Sequence, residues 1–279
     1  MGWHEWPLIV FTVLAQTAVG AFILSAIAIL VSGASPQKLR FERSLVAIWV
    51  LLGAGFLASM AHLGRPMWGI NAILRVGQAP LSNEIASGVS FLAVGGLAWL
   101  LSLRDAQPGL RKILYIVGML LGVALLYNMT RFYMMPTVPT WNTPLTPLAF
   151  VTTALLGGAM LTALLSALSG FGAPRGSRLL AGLAIIGFVA AAMVTIALVA
   201  SLSGVGSSIR QAGALSPDMA WLYALRFGLL TLALLFAWRM FSGRMASVPA
   251  ALASLVLVAV GEMIGRGVFF ALHMTVGLI

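Results

Sequence analysis

Eight apolar runs of about twenty residues or more, separated by Gly, Pro and basic residues, govern what this polypeptide is able to fold into. A run such as "WPLIVFTVLAQTAVGAFILSAIAILV" matches the helix length that a hydrocarbon core of roughly 30 Å requires. In lipid no water satisfies backbone N–H and C=O groups, so a helix, which closes those bonds within one segment, is favoured over sheet. Of 279 residues 61% are hydrophobic and 8% charged, which leaves no polar stretch for a separate water-soluble domain. The expected fold is all-α: a polytopic transmembrane bundle of about eight helices. They are placed near 7–31, 44–63, 84–103, 111–131, 147–169, 178–202, 218–240 and 248–272, in one integral membrane anchor domain over 1–279.

The opening "MGWHEWPLIVFTVLAQ" has neither the basic n-region nor the small-residue cleavage site of a secretory signal, so the first helix is expected to be retained. Pro7 suits the first turn of a helix, and Trp3 and Trp6 suit the headgroup layer.

A formal charge of +10 would suggest nucleic acid in a soluble protein, but here the basic residues sit mainly in short connections. Those after the first, third, fifth and seventh helices hold Lys38, Arg40, Arg43, Arg104, Arg111, Lys112, Arg175, Arg178, Arg239 and Arg244. The other side holds Arg65, Arg75, Arg131 and Arg210, while Arg226 and Arg266 fall within spans. By the positive-inside rule both termini are expected on the outer, periplasmic side of the inner membrane. The two longest connections, 64–83 and 132–146, then face outward with all three histidines, so function is expected there. Segment 67–74 reads as a short interfacial helix, and Pro136, Pro139, Pro144 and Pro147 as the stiffeners of an extended loop; both stretches can equally be plain connectors.

The sequence has no cysteine, so a thiolate-bound iron–sulfur cluster or zinc site must belong to a partner. Haem b in a helical bundle needs two facing axial ligands, whereas His4, His62 and His273 all fall at helix ends. Neither haem nor another metal is expected in this protein.

His62 ends the second helix and Glu84 opens the third, so both sit at one membrane level. Imidazole accepts protons near neutral pH, and a desolvated carboxylate can be raised toward that range, which suits a reaction that releases protons, such as quinol oxidation. The structural alternatives are an interfacial histidine bonded to a loop carbonyl, and a first-turn carboxylate favoured by the helix dipole beside a Ser82 or Asn83 cap. Gln16 lies roughly 14 Å below the outer end of the first helix, where its amide needs a neighbouring helix or a quinone oxygen.

Glu262 and Arg266, four residues apart, share a face of the last helix and can pair, and Arg226 on the preceding helix should lie at comparable depth. One carboxylate can then hold two guanidinium groups. His273 continues the stripe, and Gly261, Gly265 and Gly267 suit close helix approach. This cluster is either a functional intramembrane site or a packing device that shapes the rim of one.

The segments "WHEWPLIVFTVLAQ", "ASMAHLGRP", "LSNEIASG", "VPTW" and "GEMIGRGVFFALHMTVG" resemble the membrane-anchor subunit of bacterial respiratory dimethyl sulfoxide reductases, the DmsC family, in the same order and from end to end of the sequence. The resemblance implies a heterotrimer in which this subunit oxidises menaquinol. An iron–sulfur electron-transfer subunit and a molybdopterin catalytic subunit receive the electrons. It also ties His62 of "HLG" and Glu84 of "SNEIASG" to quinol oxidation. Gln16, Arg266 and His273, taken from their own positions near the outer end, are the other candidate quinol-binding residues. Two positions depart from the family pattern: Arg65 stands where a small residue is expected and Phe270 where a tyrosine is expected. The rival functions are a small-solute or ion permease using Glu262, Arg266 and Arg226, and a purely structural anchor. Paired broken helices, which a permease of the inverted-repeat type would show, are not evident.

Overall fold

The computed structural model describes residues 2–62, 71, 74–206, 211–215 and 219–274. The segment expected as an interfacial helix over 67–74 falls almost wholly outside them, as do Arg65 and Arg210. The described residues form α1 (Trp6–Val31), α2 (Pro36–Ser44), α3 (Val46–Met60), α4 (Pro80–Leu103), α5 (Pro108–Tyr133), α6 (Leu145–Ser169), α7 (Pro174–Ser201), α8 (Ala220–Phe236) and α9 (Val248–Ala271). With α2 and α3 counted as the single span Pro36–Met60, seven helical spans are long and apolar enough to cross a bilayer, and α8 is a shorter apolar helix. A polytopic helical bundle is therefore what the apolar runs produce.

Several boundaries move. The second span begins at Pro36 rather than near residue 44, because Ser35 Oγ accepts the Lys38 N–H at 3.1 Å and Pro36 fits the first turn. Lys38, Arg40 and Arg43 thus ride on helix instead of loop. Two of them bridge to other helices. Arg40 Nε donates to the Ser169 carbonyl at the end of α6 (3.2 Å). Arg43 donates to the Ser102 and Leu103 carbonyls at the end of α4 (3.3 and 3.2 Å). Each guanidinium satisfies carbonyls that a helix C-terminus leaves unpaired. Beneath them the buried Glu42 accepts a hydrogen bond from the Tyr115 hydroxyl at 3.2 Å and lies 3.6 Å from Arg111 Nε.

Uniform hydrophobicity hides which helices are interior. In the most apolar window of α6, 78% of residues are buried, and 67% in that of the span containing α1, against about one third in the other long spans. Small residues set this arrangement. A Cβ at Gly20 would overlap the carbonyl oxygen of Ala154, so the α1 and α6 backbones touch where both lack bulk. Below that contact Phe22 of α1 packs against Trp49 and Phe91, with ring centroids at 5.3 and 5.2 Å.

The connection before α6 is not extended. Residues 134–144 turn repeatedly, with Val138 N–H donating to Met135 and Trp141 N–H to Val138, both at 3.0 Å. The prolines shape tight turns here, and the loop folds back onto the end of α9. Thr140 Oγ1 donates to the Leu272 carbonyl (2.7 Å) and Trp141 Nε1 to that of Phe269 (2.8 Å).

Candidate functional site

At the end of the bundle where α1 begins and α9 stops, a cavity of about 410 Å³ opens between α1, the end of α3, the end of α5 and the end of α9. A short 3-10 turn over Gly2–Glu5 precedes α1 and carries His4 and Glu5 to its rim. His62 follows the C-cap of α3 at Ala61, where the helix stops ahead of "GRP". His273 follows α9 and stacks obliquely on Trp141, with ring centroids 4.8 Å apart. All three histidines line the one cavity. Among the described residues no set of three His, Asp or Glu side chains converges tightly enough to hold a metal ion.

The polar contact at the rim joins His62 and Glu5. His62 Nδ1 lies 3.0 Å from Glu5 Oε2, with both side chains partly exposed at 44% and 38%. Their separation suits an ion pair, although the ring N–H is not aligned on the carboxylate as a hydrogen bond requires.

The wall is aromatic. Tyr133 meets Trp141, Phe269 and Phe270 edge to face at 5.6 to 5.9 Å, and Trp141 stacks on Phe269 at 5.1 Å and 13°. Phe270, where a tyrosine was expected, is buried against this group and lines the cavity. Tyr133, Trp141 and Glu5 were not singled out from the sequence. Glu5 and Trp141 did carry a local signal, the first inside the "WHEW" segment next to His4 and the second as the last residue of "VPTW", whereas Tyr133 at the end of an apolar span is indistinguishable there from ordinary core.

Glu84 does not line this cavity. Helix α4 starts at Pro80, so Glu84 lies one turn inside it, and Ser82 and Asn83 are not its caps. Asn83 Oδ1 instead accepts the N–H of Gly77 at 2.6 Å. Glu84 is 3% exposed, and its Oε1 has no hydrogen-bond partner among the described residues. Ser87 and Asn128 form a polar patch beside it on α4 and α5, Asn128 Nδ2 donating to the Asn83 carbonyl (3.3 Å) and to Ser87 Oγ (3.2 Å).

Gln16 and Arg266 meet below the cavity. Arg266 Nη2 donates to Gln16 Oε1 at 2.8 Å, and Gln16 Nε2 reaches Met129 Sδ at 3.2 Å, so the amide bonds neighbouring helices. The expected pairing of Arg266 with Glu262 is replaced. Glu262 Oε1 accepts from Arg226 Nη2 at 2.9 Å and Oε2 from the Thr153 hydroxyl at 2.5 Å, so the carboxylate binds one guanidinium rather than two. Arg266 lies 3.9 Å from the centroid of the Phe150 ring, whose face offsets part of the cost of burying the charge. Gly265 makes room for this exchange: a Cβ there would sit 2.6 Å from Arg226 Nε. Gly267 similarly receives the Trp3 ring. A series of polar contacts therefore links α1, α6, α7, α8 and α9 through Gln16, Arg266, Thr153, Glu262, Arg226 and Thr195.

Comparison with known proteins bears on this geometry. The family model described as DMSO reductase anchor subunit (DmsC) matches residues 1–272. The sequence is 43% identical over 281 residues to the C chain of anaerobic dimethyl sulfoxide reductase of Escherichia coli (strain K12), an alignment that spans 99% of this protein and 98% of that one. It is 41% identical over 280 residues to the anaerobic dimethyl sulfoxide reductase chain YnfH of the same organism. It is 35% identical over 280 residues to the C chain of the Haemophilus influenzae reductase, and both of these alignments again span 99% and 98%.

Proposed function

Since the chain belongs to the DMSO reductase anchor subunit (DmsC) family, we propose that it oxidises menaquinol in the aromatic cavity beneath His62 and Glu5. The electrons pass to an iron–sulfur subunit and onward to a molybdopterin subunit that reduces dimethyl sulfoxide or a related oxide. The observation that carries this reading is the His62–Glu5 contact at 3.0 Å over a cavity walled by Tyr133, Trp141 and Phe270. Flat aromatic walls suit a quinol ring, and the imidazole and carboxylate suit its hydroxyl protons.

Oxidation of one quinol yields one quinone, two electrons and two protons. His62 accepts one proton, with Glu5 stabilising the imidazolium that forms, and His273 binds the ring at the opposite rim. The second proton leaves through the open rim of the cavity, and Glu84, buried on α4 beside Ser87 and Asn128 outside that cavity, enters this reading from the family resemblance and not from contact with the quinol. Gln16 and Arg266 support the floor of the site from below.

Ten basic residues gather at the opposite end of the bundle, which favours the periplasmic side of the bacterial inner membrane for the histidine end. The partner subunits then dock there, close to the quinol, and protons leave on the same side. The test is quinol-dependent reduction of the partner's iron–sulfur clusters in the purified complex. His62→Ala should lower that rate by about 100-fold or more, while reduction by an artificial soluble donor stays unchanged. An unchanged quinol-dependent rate in a fully assembled complex rules out the site.

A further inference from the structure

A second and larger cavity, of about 620 Å³, lies on the other face of α5, between α5 and α6, with Gly20, Ile23 and Leu24 of α1 as its floor. Its lining is apolar except for Tyr127 part-way along and Thr130 and Arg131 near the Met134 end. Tyr133 and Phe150, in contact at 5.5 Å, separate it from the histidine cavity. From the structure we infer that this groove holds one acyl chain of an anionic phospholipid from the leaflet at the histidine end, with its headgroup phosphate on Arg131.

Three observations support the assignment. Along α5 the groove runs from Met134 to Val123, which at 1.5 Å per residue is about 16 Å, or roughly half of a 30 Å hydrocarbon core. That depth is one leaflet. A phospholipid tail fits it when its headgroup stays at the surface, whereas an isoprenoid tail has no reason to stop at the midplane. The cation sits at the headgroup end and nowhere else along the groove. Arg131 is exposed, and no carboxylate of a described residue pairs with it, so it is available to a phosphate. The groove wall is also open to the bilayer: Val123, Tyr127 and Val151 are 55%, 63% and 45% exposed, so a lipid tail can enter sideways without displacing core.

The site is independent of the quinol reading and is tested without turnover. The full-length protein with its copurifying subunits is placed in nanodiscs of equal phosphatidylglycerol and phosphatidylethanolamine, and the lipids retained on release are identified by native mass spectrometry. Wild type should retain phosphatidylglycerol in preference. Arg131→Gln should lower that retention by about fivefold and Arg131→Lys should preserve it. Val151→Trp, which fills an exposed position of the groove, should expel the lipid. The proposal is overturned if wild type shows no preference, if Arg131→Gln retains as much as wild type, or if Val151→Trp releases quinone instead of phospholipid. Arg131 is on the surface, so its two variants decide the matter even where the tryptophan variant fails to assemble.

Discussion

His62, just past the end of α3, and Glu5, just before α1, face each other at 3.0 Å although 57 positions separate them in the sequence. The contact gives the histidine an anionic partner at the rim of the aromatic cavity, which His4 and His273 also line.

Glu5→Gln should lower quinol-dependent cluster reduction by about fivefold. An exposed ion pair is worth up to about 1 kcal/mol, and that is the stabilisation an imidazolium loses when its neighbour becomes neutral. The loss belongs in the quinol-dependent rate alone, so an equal fall with a soluble donor would reassign Glu5 to assembly.

Trp141→Phe keeps an aromatic wall but removes the 2.8 Å hydrogen bond from Nε1 to the Phe269 carbonyl. A buried acceptor left unpaired costs about 1–3 kcal/mol. The loop over residues 134–144 should loosen from α9, raising KM for quinol several-fold with a smaller change in kcat. Steady-state kinetics at varied quinol concentration separate the two.

Arg226→Met strands the buried carboxylate of Glu262 and should destabilise the bundle by about 3–5 kcal/mol. Adding Glu262→Leu removes the stranded charge and should recover much of that loss. Thermal unfolding in detergent of both single variants and the double variant gives the coupling energy. Additive effects would mean that the 2.9 Å pair contributes nothing of its own.

Two glycines of similar sequence appearance should behave oppositely. Gly20→Ala forces α1 away from the Ala154 carbonyl and should cost about 1–3 kcal/mol, as overpacking does. At Gly96 of α4 a Cβ would meet nothing within 4 Å, so Gly96→Ala should be neutral or stabilise by up to about 1 kcal/mol. Melting temperatures measured side by side test the pair.

The helices themselves were legible because hydropathy and Pro or Gly punctuation are properties of one segment at a time. The misplaced ends have local causes as well: Ser35 and Pro36 start α2 in a stretch too basic to look like membrane, and Pro80 starts α4 a full turn before Glu84. His62 and His273 were legible as residues of one membrane level, and the structure brings them to one cavity. Glu84 at the same level was drawn to a different face, since a residue's depth says nothing of its direction around the helix.

The sequence by itself determined an all-α bundle, its length scale, and the few polar residues able to carry chemistry. A bilayer demands about twenty apolar residues per span, and that demand is met segment by segment. Only the tertiary structure decided that His62 meets Glu5, that Arg266 turns from Glu262 to Gln16, and that α1 and α6 lie inside. Every long spanning helix here is apolar on most faces, so lateral order comes from where glycines let backbones approach and where rings interlock. Those are contacts between distant segments, and no single run of sequence contains them.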